Sequence, residues 1–226
     1  MRLEKRIPMG AGLGGGSSDA AAVLLALPVL AGRAPAIGRL MEMGQQLGSD
    51  VPFFLVGGRA AGIGRGSELF PLPDGAAQSG VLVASGIHVS TAEAYRRLSP
   101  GLTSESPQNK IIGFQSQVWG SSVREAAAND FEGVVFGQHR RLAALKKILI
   151  RAGASRAMMT GSGSAVFGLF PTAEAASRAL DSGLPERERV IPISLVSRAR
   201  YRSMWWHALQ EHIAGKVWPP RSRNAP

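Results

Sequence analysis

The stretch Pro8-Met9-Gly10-Ala11-Gly12-Leu13-Gly14-Gly15-Gly16-Ser17-Ser18-Asp19 constrains this chain more than any other. Five glycines in the seven positions from Gly10 to Gly16 exclude a helix or strand interior there. The strong helix formers from Ala20 to Leu25 then predict a helix, with Ser17-Ser18-Asp19 as its N-cap region. A glycine loop opening a helix lets successive backbone N–H groups converge on one point, and the helix dipole favours negative charge there. The chemistry is that of a phosphate cradle. Ser17 and Ser18 can donate to phosphate, and Ser18 can also help hold Mg²⁺. No Gly-Lys-Ser/Thr follows, so the loop is not a Walker A motif, and its spacing differs from the dinucleotide fingerprint.

At 226 residues and 45% hydrophobic, the chain can bury the core of one large domain or two small ones. It contains no cysteine, which excludes disulfides and thiolate metal sites and fits a reducing cytoplasm. The four histidines are scattered and do not suggest metal ligands. The net charge of +10 favours polyanionic partners, but much of the excess lies between Arg198 and Arg223 and reads as a solvated basic helix and tail. Met1 to Arg6 and the apolar run Ala20 to Ala31 do not make a signal peptide, because glycines and Asp19 lie between them.

Helical spacing is expected in the segment 20–28, ended or kinked by Pro28, and from Ile37 to Leu47, where Ile37, Leu40, Met41 and Gly44 share a face. Val51 to Val56 reads as a short buried segment, with strand-like stretches from Ala60 to Leu72 and a linker from Pro71 to Gly80. Beyond it come a strand at Gly80–Ala84, a helix at Thr91–Leu98, a polar loop at Leu102–Gly120 and a helix at Arg140–Ala152. Two strands around a Gly-Ser-Gly turn follow at Ala157–Phe170, then a helix at Thr172–Leu180. A docking helix is expected from Ser197 to Ile213, with Tyr201, Trp205, Leu209 and His212 on one stripe. The class is α+β, divided into residues 1–76 and 77–226.

Gly48-Ser49-Asp50-Val51-Pro52-Phe53-Phe54 places a carboxylate at an element junction, where an Asp most simply makes a turn. Tyr95 by itself is a helix-surface anchor, and Met159 to Phe167 an ordinary strand-turn-strand. Asn129-Asp130-Phe131-Glu132 reads as a helix start with an N-cap role.

Taken together and in order, these segments resemble the GHMP kinases, and most closely the diphosphocytidyl-methylerythritol kinase branch, which carries the triple glycine before Ser-Ser. The resemblance covers nearly the whole chain. It implies a two-domain fold: part of a ribosomal protein S5 domain 2-like ATP-binding domain, then a ferredoxin-like domain. It implies that Pro8, Met9, Gly10, Ala11, Gly12, Leu13, Gly14, Gly15, Gly16, Ser17 and Ser18 wrap the ATP phosphates, and that Asp50 is the catalytic aspartate. Tyr95 inherits the aromatic that stacks on the substrate's cytosine, with Thr91 beside it, and Gly161, Ser162 and Gly163 lie near the active cleft. The implied chemistry is Mg²⁺-assisted transfer from ATP to an alcohol of a cytidine-diphosphate-linked methylerythritol, a small-molecule partner, with no membrane or nucleic acid.

The resemblance also implies strands before the phosphate loop carrying a lysine that pairs with the aspartate. Lys5 does not occupy that place, so the chain as it stands reads as truncated and is expected to have little activity. The competing readings are another GHMP small-molecule kinase and a non-catalytic nucleotide- or RNA-binding module that uses the basic tail.

Overall fold

The computed structural model describes residues 2–63, 66, 68–102, 128–181 and 187–225. Most of the expected polar loop at 102–120 therefore lies outside the described residues. The chain forms two compact units, each discontinuous in sequence: Met1–Leu13 with Gln78–Leu195, and Gly14–Ala77 with Val196–Pro226. The division falls inside the glycine-rich loop, and the segment after residue 195 joins the unit of residues 14–77.

The first unit is built on a four-stranded antiparallel sheet of β3 (Ser79–Ala84), β4 (Arg156–Met159), β5 (Ala165–Phe170) and β6 (Arg189–Ser194), in the order β4-β5-β3-β6. Among the described residues its helices are α4 (Thr91–Leu102), α5 (Phe131–Gln138), α6 (Arg140–Arg151) and α7 (Ala173–Asp181). Helices α4 to α6 connect β3 to β4, a tight turn joins β4 to β5, and α7 leads to β6, which is the split βαβ order of a ferredoxin-like domain. The central strand β3 pairs Val83 with Val166 on one side and Val190 on the other. Strand periodicity divides its side chains between two faces. Val81 and Val83 join Val166 and Phe170 against Leu142, Leu145 and Leu149 of α6, whereas Leu82 meets Phe167, Ile191 and Ile193 on the opposite face. That second face also receives Ala11 and Leu13, so the first half of the glycine loop is seated on the sheet.

The second unit contains α1 (Gly15–Leu30), α2 (Ile37–Leu47), α3 (Val51–Val56), the hairpin of β1 (Ala60–Ile63) and β2 (Glu68–Pro71), and α8 (Arg198–Ala208). Leu24, Leu25, Leu40, Val51 and Leu55 form its core, with Trp205 and Trp218 packed against them. Gly44 lets α2 approach α3: a Cβ there would stand 3.2 Å from Leu55 Cδ1 and 3.3 Å from Val51 Cγ1.

Two local expectations are corrected, both in α1. Helix α1 starts at Gly15, not after Ser17-Ser18-Asp19. Gly14 in the left-handed region (φ 65°) is its N-cap, and Ser18 Oγ donates back to Gly15 O instead of capping. The helix also runs past Pro28 to Leu30, so the proline does not end it. Val51–Val56, read as a short buried segment, is buried at Val51, Pro52 and Leu55 and is helical, with Pro52 in the first turn, where its missing N–H would be unsatisfied anyway.

Candidate functional site

The glycine loop is held from both sides of its midpoint. In the first unit, Ala11 is buried and its carbonyl accepts two bonds, from Ala165 N at 3.1 Å and Thr160 Oγ1 at 2.8 Å. Gly12 follows at φ 71°, so close to the 160–163 turn that a Cβ would stand 2.9 Å from Gly163 O. Only glycine satisfies both conditions. In the second unit, Gly14 directs the chain into α1, whose first turn has no side-chain cap. The N–H groups of Gly15, Gly16 and Ser17 precede the first helical bond, from Ser18 N to Gly14 O at 2.9 Å, so they have no intrahelical acceptor and point where an anion can meet them. Pro8 and Met9 precede the pinned segment, and Met9 is exposed.

Asp50, also in the second unit, is the residue before α3. Its side chain is exposed, does not cap the helix, and accepts from Ser49 Oγ at 3.4 Å. The carboxylate is thus available to a hydroxyl proton.

The remaining expected positions fall in the first unit. Thr91, at the start of α4, and Ser162, in the β4–β5 turn, share a hydroxyl hydrogen bond of 2.8 Å. Tyr95, one turn further along α4, is 55% exposed, and its ring meets Phe131 edge-on at 4.8 Å between centroids. An exposed ring supported from one edge can stack on a planar ligand. Gly161 and Gly163 both have positive φ, which gives the turn its shape.

Some of the site's support was not apparent from the sequence. Asn129 Nδ2 donates to Met159 O at 2.9 Å and Gly161 O at 2.8 Å, while its Oδ1 accepts from Phe131 N at 3.0 Å. Asn129 thus provides the cap expected of this segment and also binds the turn, whereas Asp130 makes no side-chain cap. Glu132 accepts from Met159 N at 2.9 Å and pairs with Lys146. Asn followed three residues later by Glu resembles a capping box, but here the glutamate reaches β4 instead of closing back on the helix start. A cleft of about 350 Å³ in the same unit is lined by Met9, Gly10, His88, Ser164 and Arg189 among others. His88 and Arg189 carry no motif that would have singled them out.

The chain is similar to known kinases. The pattern described as GHMP kinases N terminal domain matches residues 1–58, and that described as GHMP kinases C terminal matches residues 117–185. The 4-diphosphocytidyl-2-C-methyl-D-erythritol kinase of Solibacter usitatus (strain Ellin6076) is 63% identical over 230 aligned positions, covering all of this chain and 72% of that protein. The enzyme of the same name from Citrifermentans bemidjiense is 44% identical over 177 positions, covering 78% of this chain and 62% of its own length. A crystal structure of 4-(cytidine 5'-diphospho)-2C-methyl-D-erythritol kinase superposes with a TM-score of 0.67 at 36% identity, over 85% of this chain and 69% of that one. Homoserine kinase from Cytophaga hutchinsonii, at 20% identity and a TM-score of 0.58, shares the fold. No helix among the described residues is long and apolar enough to cross a membrane. The ferredoxin-like sheet, the pinned glycine loop and these relatives together establish that the chain belongs to the GHMP kinases, in the 4-diphosphocytidyl-2-C-methyl-D-erythritol kinase family.

Proposed function

We propose that this protein transfers the γ-phosphate of ATP to the 2-hydroxyl of 4-diphosphocytidyl-2-C-methyl-D-erythritol, a step of the non-mevalonate route to isoprenoid and terpenoid precursors. The observation that carries this reading is the start of α1, where Gly14 at φ 65° leaves the first-turn N–H groups without a side-chain cap. Such a turn favours a polyphosphate, and Pro8 to Ser18 would wrap it. The relatives' names supply the substrate.

Asp50 accepts, or orients, the proton of the attacking hydroxyl. Phosphoryl transfer has a loose transition state, so holding that oxygen in line contributes more than basicity. Tyr95 stacks on the cytosine beside Thr91, and Gly161, Ser162 and Gly163 border the cleft. Mg²⁺ would enter with ATP, as the counter-ion of the donor's phosphates. Ser18 Oγ, which donates to Gly15 O at 3.1 Å, would still have lone pairs to offer that ion. When bound, Mg²⁺ neutralises charge on the phosphoryl oxygens. The absence of cysteine suits a cytoplasmic enzyme.

The test is phosphorylated product formed from ATP, Mg²⁺ and this substrate. Asp50→Asn is expected to lower kcat about a hundredfold or more while leaving the ATP KM close to wild type. Full turnover by Asp50→Asn would remove the aspartate's role, and preference for homoserine or mevalonate would remove the substrate assignment.

A further inference from the structure

We propose that Asn129 and Thr160 are positioning residues for the nucleotide phosphates, an inference that rests on the phosphate-donor reading above. Neither residue lies in the glycine loop. Their connection to it is a chain of hydrogen bonds within one compact unit.

The chain starts at Asn129. Its amide is fixed by the bond from Phe131 N to Oδ1, which turns Nδ2 towards the carbonyls of Met159 and Gly161. Those two acceptors flank Thr160, so one side chain grips the backbone on both sides of it. Glu132 adds a third hold by accepting from Met159 N. Thr160 is thereby fixed and acts on the loop in two ways. Its hydroxyl donates to Ala11 O at 2.8 Å, and its carbonyl, which accepts from Gly163 N at 2.9 Å, lies against Gly12. Ala165 N, at the start of β5, gives Ala11 O its second donor.

A glycine-rich segment has broad backbone freedom, and an anion bound by its N–H groups must bear the entropy of ordering it. Bonds that order Ala11 and Gly12 beforehand lessen that cost, and the gain appears as nucleotide affinity. Asn129 and Thr160 therefore act on phosphate binding through backbone that they do not share with the ligand.

The experiment measures the affinity of MgADP by calorimetry alongside stability in urea. Asn129→Ala and Thr160→Val, the latter retaining shape without the hydroxyl, are each expected to weaken MgADP about tenfold, the size of one well-placed hydrogen bond. Thr160→Ser, which keeps the donor, should stay within about twofold of wild type. Ser155→Ala, which loses a bond of 3.0 Å to Leu169 O in the same unit, is the control for general destabilisation and should bind normally. Wild-type affinity in Asn129→Ala and Thr160→Val overturns the inference. So does an equal loss in Ser155→Ala, because affinity would then merely follow stability. Failure of the unmodified protein to bind MgADP would instead overturn the phosphate-donor reading, and the inference with it.

Discussion

The ring of Phe54 lies against Gly14 so closely that a methyl group on Gly14 would stand 2.8 Å from Cζ and 3.0 Å from Cε2. Gly14 also sits at φ 65°, where side chains are strained. Gly14→Ala is therefore expected to destabilise by about 1–3 kcal/mol. Gly16, two residues on, has no atom within 4 Å of its would-be Cβ and lies inside α1. Gly16→Ala should gain about 0.5–1 kcal/mol from helix propensity and a less flexible unfolded chain. Urea unfolding of the pair checks both signs, and equal effects would contradict the constraint assigned to Gly14.

Arg198 holds the β1–β2 hairpin to the start of α8. Its guanidinium donates to Gly57 O at 3.1 Å, to Leu72 O at 3.2 and 3.3 Å, and to Arg59 O, while its backbone N–H donates to Asp74 Oδ2 at 2.7 Å. A lysine ammonium cannot reach three carbonyls arranged for a planar fork. Arg198→Lys should therefore cost about 1.5–3 kcal/mol, nearly as much as Arg198→Ala. Chemical denaturation of the two variants checks this, and a fully stable lysine variant would show that charge alone suffices.

The stacking proposed for Tyr95 on the substrate's cytosine predicts a selective loss. Tyr95→Ala should weaken the cytidine-containing substrate by about tenfold to a hundredfold, the range for one aromatic–base stack. Tyr95→Phe should keep most of the affinity, because the ring's edge contact with Phe131 needs no hydroxyl. Titration with the substrate and, separately, with MgADP distinguishes this from general damage: an equal loss for both ligands would remove Tyr95 from the cytosine site.

The parts of this molecule legible in the sequence were those whose physics is local. The glycine run preceding α1, the 3.6-residue spacing at Ile37–Leu47 and the Gly-Ser-Gly turn each state their own conformation. Helix α3 was harder, because a six-residue apolar run has no periodicity to read, and only Pro52 in its first turn hinted at a helix. Asn129 shows a different limit. An N-cap role was expected of its segment, but its donors are spent on Met159 and Gly161, and no spacing encodes a contact made by bringing α5 beside the β4–β5 turn. The joining of Val196–Pro226 to Gly14–Ala77 was hidden for the same reason, although the aromatic stripe of α8 signalled that the helix docks.

Tyr201, in that stripe, supplies a pH-dependent prediction. Its hydroxyl donates to Phe54 O, and its ring meets Trp205 and Trp218 at centroid distances of 6.5 and 5.9 Å. Burial raises the phenol above its ordinary pKa, since the phenolate would lose solvation. The folded state therefore holds this proton more tightly than the unfolded chain. The resulting stability is complete below the unfolded value of about 10 and is lost as pH rises above it towards the folded pKa. Tyr201→Phe removes the titrating group and also leaves Phe54 O without this donor, so near neutral pH the variant should be about 1 kcal/mol less stable. Above about pH 10 the gap should narrow, because only the wild type pays for keeping a buried phenol protonated. Urea midpoints of both proteins from pH 7 to 11 measure this difference directly, with other titrating groups common to the pair. Parallel curves across that range would show that Tyr201 ionises as readily folded as unfolded, and burial against Trp205 and Trp218 would then no longer account for the stability of this contact.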